Sequence, residues 1–156
     1  DFTLFGRHRG YPLRIEPAPA RPNLPPGQHD LIKVSIPMTN PNRKALMIHR
    51  SELSDPDLLT WSTLDRPVRI AQDLGEAYQV LTNDPMFAGI ILSDDVKISI
   101  YELFKNPEAG LLLIEDESLL YLYRHFLTKD SRATHLSQAV ALLCDIKDEL
   151  NIRLKD

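Results

Sequence analysis

A single cysteine, Cys144, in 156 residues leaves no internal disulfide framework and no thiolate zinc site, since both need several sulfurs at defined spacings. Glycine is scarce as well. The six present form neither Gly-x-Gly-x-x-Gly nor the Walker pattern, so the common phosphate-cradling loops are missing. The Gly-x-Ser-x-Gly elbow that exposes a nucleophilic serine is missing too. Five histidines, His8, His29, His49, His125 and His135, include no pair at the i, i+4 spacing that aims two imidazoles at one ion. Neither a metal nor a cofactor is expected. No apolar run approaches the ~20 residues that span a bilayer, and no segment recurs at a fixed period, which removes solenoids and propellers. The net charge of −4 lacks the basic excess that replaces phosphate counterions, so nucleic acid is not an expected partner. The chain starts at Asp1 rather than Met, and Phe2 to Phe5 already alternates like a strand. The expectation is a fragment of a longer chain, with any targeting or anchoring segment upstream.

The composition that remains is that of one ordinary globular domain: 43% hydrophobic and 26% charged residues over the usual length of a single core. Its charge is unevenly spread. Residues 1–50 carry 8 Lys and Arg against 3 acids, a net +5, and residues 51–156 carry 10 against 19, a net −9. Such polarity fits internal complementarity between two parts of one fold, or a basic face for an anionic partner.

Turn chemistry and hydrophobic period predict an α+β fold, a mostly antiparallel sheet built from hairpins and packed by two or three helices. Residues 2–5 and 11–15 read as strands around a Gly6–Gly10 turn. Pro17, Pro19, Pro22, Pro25 and Pro26 then remove amide donors and predict a stiff connecting loop from Pro17 to Gly27. Leu31 to Ile36 and Ala45 to Ile48, divided by Asn40-Pro41-Asn42, predict a second hairpin. Asp55-Pro56 opens a short helical turn leading to Trp61, whose ring is expected to anchor an irregular segment. Val68 to Ile70 and Tyr78 to Thr82 predict strands around Gly75. Asp84-Pro85 and Ser93-Asp94-Asp95 are helix starts, the second with Val96, Ile100, Leu103 and Phe104 on one face. Leu111 to Ile114 and Leu119 to Tyr123 form a hairpin about Glu115-Asp116-Glu117. A long C-terminal helix, capped between Thr128 and Ser131, carries Leu136, Val140, Leu143, Ile146 or Lys147, Leu150 and Leu154. The whole is one domain, a basic hairpin region (1–50) and an acidic strand–helix–hairpin–helix region (65–156).

Few residues in this pattern suggest chemistry. The acids at 115–117 suit a solvated turn, because a calcium loop spaces its oxygens over about 12 residues with a central glycine. Cys144 sits on an apolar stripe, where burial keeps a thiol protonated and inert. The basic cluster is more informative. Arg7, His8 and Arg9, bounded by Gly6 and Gly10, present cations on a turn, and with Arg14 and Arg50 they are the candidate ligand-binding residues for phosphate or a lipid headgroup.

The order Tyr78-Gln79-Val80, Asp84-Pro85, Leu92-Ser93, Leu111 to Ile114 and Leu119 to Tyr121 resembles an uncharacterised family of bacterial membrane-anchored proteins with a soluble α+β domain. There an aromatic-x-Val strand precedes an acidic turn, a short helix, a second helix start and a hairpin with an acidic turn. The resemblance covers residues 78–123. It implies a soluble head joined to a membrane through a segment outside this chain, and it carries over no catalytic residues.

The expected function is therefore a non-catalytic protein-interaction or structural domain, with a protein partner. Two alternatives stand beside it. One is an anionic-ligand binder using the basic N-terminal region, and the other an enzyme assembled from distant residues such as His8, His49, His125 and the acids.

Overall fold

A computed structural model describes residues 3–18, 31–59, 61, 68–69, 74–124 and 129–153. In chain order these form β1 (Leu4–His8), β2 (Tyr11–Ala18), β3 (Leu31–Pro37), β4 (Leu46–Arg50), α1 (Pro56–Leu59), β5 (Val68–Arg69), β6 (Tyr78–Thr82), α2 (Pro85–Ile91), α3 (Asp94–Phe104), β7 (Leu111–Glu115), β8 (Ser118–Arg124) and α4 (Lys129–Arg153). All eight strands join one sheet in the order β1-β2-β3-β8-β7-β4-β6-β5, antiparallel throughout. The fold is α+β, as the sequence predicts.

Alternation along the central strands buries both faces of the sheet. Val34, Ile48, Leu112, Ile114 and Tyr121 face α2, α3 and α4, meeting Phe87, Ile91, Val96, Ile100, Leu103, Leu143 and Ile146. The intervening Leu31, Met47, Leu111, Leu113, Leu120 and Leu122 face the other way and pack with Leu58 of α1, Leu53 and Trp61. Trp61 is half-buried in that second cluster.

Helix starts follow their cap residues. The Asp84 carboxylate accepts from the amides of Met86 (3.0 Å) and Phe87 (3.2 Å), with Pro85 in the first helical position, and Ser93 Oγ accepts from the Val96 amide at 3.3 Å. In α3 the four predicted face residues, Val96, Ile100, Leu103 and Phe104, are all fully buried. The helix ends before Asn106-Pro107, as expected. α4 begins at Lys129, so Ser131 lies inside it, and Thr128 and Leu154 lie outside the described residues.

Three expectations are corrected. β3 and β4 do not pair; the β7–β8 hairpin lies between them, with Val34 opposite Tyr121 and Met47 opposite Leu113. The inserted strands β7 and β8 are the ones buried and apolar on two faces, which places them at the centre of the sheet, whereas β3 carries Lys33 and Ser35 on one of its faces. The connection from β3 to β4 instead crosses the end of the inserted hairpin. There Asn40 Nδ2 donates to the carbonyls of Lys44 (2.8 Å) and Asp116 (2.6 Å), and the Met38 amide donates to the Glu117 carbonyl at 3.0 Å.

The first turn is also tighter than Gly6–Gly10. β1 continues through Gly6, Arg7 and His8, and only Arg9 and Gly10 turn, at φ of 51° and 84°. A two-residue loop with positive φ at both positions matches the right-handed twist of its strands. Finally, Pro17 is a residue of β2, opposite Ile32, rather than the start of a loop. Two-residue hairpins close on a hydrogen-bonded pair, here His8 and Tyr11, so amides of odd-numbered β2 residues point toward β1. The β1 register ends at Leu4↔Ile15, and the missing amide of Pro17 points where no β1 partner is paired. Residues 19–30, with the remaining prolines of that stretch, lie outside the described residues.

Candidate functional site

The β1–β2 hairpin is held against α4 by its tip. The guanidinium of Arg9 bonds Asp145 at 2.7 Å and Asp148 one helical turn on, and Tyr11 Oη donates to the same Asp148. Asn151 Nδ2 donates to Tyr11 Oη at 3.1 Å, and Ser99 of α3 donates to Asp145. The hydrogen bond to Asp145 and the charges of both carboxylates hold Arg9 above its usual pKa, against an opposing effect of burial. Burial, then Asp148, raises the Tyr11 phenol. Beneath them Cys144 is fully buried, its thiol pushed up by burial and donating weakly to the His8 carbonyl at 3.7 Å.

The other candidate cations are placed apart. Arg7 Nη1 donates to the Gly10 carbonyl at 3.2 Å, which folds it back over the turn, and His8 is exposed on β1. Arg14 lies on the sheet face away from α4, paired with Glu16 at 3.1 Å and with its guanidinium 5.5 Å from the centre of the Phe5 ring. Arg50 ends β4, with three strands between it and β2, where it bonds Glu52 and donates to the Phe104 carbonyl at the end of α3. Arg7, His8 and Arg9 are neighbours, Arg14 shares with Phe5 and Arg7 one face of the β1–β2 ladder, and Arg50 does not join them. Arg9 with Asp145 and Asp148, and Lys44 with Asp84, are pairs between the basic and acidic regions, so part of the charge polarity is internal complementarity.

Of the five histidines, His29 and His125 lie outside the described residues. His49 is buried with Nδ1 2.7 Å from the Arg50 carbonyl. His135 is in the core, 1% exposed, with Nε2 2.8 Å from Tyr121 Oη, which also accepts from the Gly110 amide at 2.7 Å. Burial lowers the His135 pKa to about 4 and drives the Tyr121 phenol far upward. Both groups are sealed from solvent and act in packing. Among the described residues no group of three His, Cys, Asp or Glu side chains is arranged to hold a metal ion, and no helix is long and apolar enough to cross a membrane.

Two grooves flank α4. One, of about 410 Å³, runs between α3 and α4 and is lined by Arg9, Asp95, Ile98, Asp145, Asp148 and Ile152. The other, of about 320 Å³, lies between the β1–β2 hairpin and α4, with Leu4, Leu13, Ile15, Leu136 and Val140 along it. β1 forms its rim. All five β1 residues are exposed, including Leu4 at 54% and Phe5 at 75%. Among the described strands β1 is also the end of the sheet. Since His8, Gly6 and Leu4 bond to β2, the amides and carbonyls of Phe5 and Arg7 point outward from the sheet. This apolar edge escaped the sequence reading, which treated Gly6 to Gly10 as a turn. The signal for it was present in Gly10, which suits the second position of a two-residue turn, and in the alternation on either side.

No protein-family model matches the chain, and no curated protein matches it. Among solved structures, the crystal structure of the mycobacterial trehalose monomycolate transport factor A, TtfA, shares the fold: the TM-score is 0.59 at 11% identity, over 95% of this chain and 70% of that one.

Proposed function

We propose that the chain is a non-catalytic protein-interaction domain, the soluble head of a membrane-associated bacterial protein, which engages its partner through the β1 edge. The observation that carries this reading is β1 itself, an end strand with every residue exposed, two large apolar side chains and outward backbone groups beside an apolar groove. Such an edge binds an extended segment by adding a strand, with backbone bonds supplying affinity and side-chain pockets supplying selectivity. Natural sheets protect edges of this kind unless they are used. The fold is shared with a transport factor, and a role in transport is compatible with this reading. The described cations support anion capture less well, because Arg9 and Arg50 are committed to bonds that hold the hairpin and the end of α3.

The test is a photo-crosslinking residue in place of Phe5 in the full-length protein within its own cells, with exposed Glu108 as the control position. A discrete protein adduct at position 5 and none at 108 is expected. Equal labelling at the two positions removes the reading.

A further inference from the structure

We propose that the strand which completes this edge is β1 of a second copy of the chain, the two strands running antiparallel across a two-fold axis at Gly6. This deepens the interaction reading above and rests on it. In that register Leu4 lies opposite His8, Phe5 opposite Arg7 and Gly6 opposite its symmetry mate, so all five residues of β1 are paired.

Three features select this arrangement. First, the hydrogen-bonding groups agree. Phe5 and Arg7 carry the outward amides and carbonyls, and they become the hydrogen-bonded pairs, whereas Gly6, whose groups already serve β2, becomes a pair without hydrogen bonds. A pair of that type brings the two Cα atoms to about 4.5 Å, and nothing lies within 4 Å of a Cβ built on Gly6. Second, the charges agree. A register centred on Arg7 sets two guanidinium groups against each other, which destabilises a cross-strand pair. Centring on Gly6 separates them and gives each Arg7 an aromatic ring. Third, the same chemistry already operates inside one chain, where Arg14 lies over the Phe5 ring from the neighbouring strand. In the pair each ring receives one guanidinium from its own chain and one from the other copy. The sheet then runs continuously through both copies. A contact of five residue pairs is at the small end of interfaces, so the association depends on concentration, on the order of 10–100 μM.

Gly6→Cys tests the register. Its Cα spacing across the axis falls within disulfide geometry, about 4.4–6.8 Å, and buried Cys144 does not compete. Mild oxidation of the full chain is expected to give a disulfide-linked dimer with Gly6→Cys and not with Phe5→Cys, whose two sites are offset along the strands. The unmodified chain is expected to double its sedimenting mass as concentration rises, and Arg7→Glu with Phe5→Asp to remain monomeric with an unchanged circular dichroism spectrum. A chain that stays monomeric at 200 μM (about twice the upper expected value) and a Gly6→Cys variant that forms no dimer overturn self-pairing. If the Phe5 photo-crosslinker then still captures a different protein, the edge retains its interaction role with another occupant; if it captures nothing, both readings fall.

Discussion

At the scale of single residues, Gly110 is the glycine, among those described, with no room for a side chain. A Cβ there would lie 1.8 Å from the Leu122 carbonyl oxygen, a backbone atom held in the sheet. Gly110→Ala is expected to destabilise by about 3 kcal/mol or more, read as a loss of urea midpoint. The Gly110 amide also donates to Tyr121 Oη, which contacts His135. Tyr121→Phe deletes that oxygen and leaves buried polar neighbours to relax, at a cost of about 1–3 kcal/mol. His135 gives the fold a pH dependence. Its pKa is about 4 in the folded chain against 6.5 ordinarily, so between those values the unfolded chain takes up a proton that the folded chain refuses. Stability therefore falls as pH drops from about 6.5 to about 4, by up to about 3 kcal/mol, and is flat in this contribution above and below. Denaturant titrations at pH 7 and pH 4.5 check this, and His135→Leu should show a smaller difference between them.

At the scale of elements, local chemistry accounts for the helices. Ser93→Ala removes the side-chain acceptor of the Val96 amide and is expected to cost about 1 kcal/mol, or about 2–4 °C in Tm. The β1–β2 hairpin depends on distant partners instead. Arg9→Ala frees its tip from Asp145 and Asp148, and amide exchange should accelerate in residues 4–15 while β7 and β8 keep their protection. This contrast explains what was legible in the sequence. Caps, prolines and apolar faces act within a few residues, and α2, α3 and the β7–β8 hairpin could be read from Asp84-Pro85, Ser93, Val96 to Phe104 and Leu111 to Tyr123. The pairing of β3 with β8 could not, because sequence neighbours are the default strand partners, and the apolar side chains on both faces of Leu111–Ile114 and Leu119–Tyr123 call for a central place in the sheet without naming the strand beside them. The candidate site was legible in its address but not its nature: Arg7, His8 and Arg9 marked the hairpin, yet the acids that neutralise Arg9 come 136 and 139 residues later.

At the scale of the molecule, one sheet separates two apolar layers, and neighbouring residues of β7 serve different ones. Leu112 faces the helices and Leu113 the layer with Leu58 and Trp61; both are fully buried. Leu112→Ala and Leu113→Ala are each expected to cost about 2–5 kcal/mol, measured by chemical denaturation. A small effect at Leu113 alone would mean that the second layer is loosely built. The insertion of β7–β8 between β3 and β4 also has a cost in time. A ribosome adding about 5–20 residues per second delivers β4 several seconds before β7, and throughout that interval two strands joined by an eight-residue connection, Met38 to Ala45, are free to pair with each other. The nascent chain must either keep them apart or undo that pairing once Leu111 to Arg124 emerges, so a slow phase is expected when refolding is followed by Trp61 fluorescence, and a single fast phase would show that the pairing does not form.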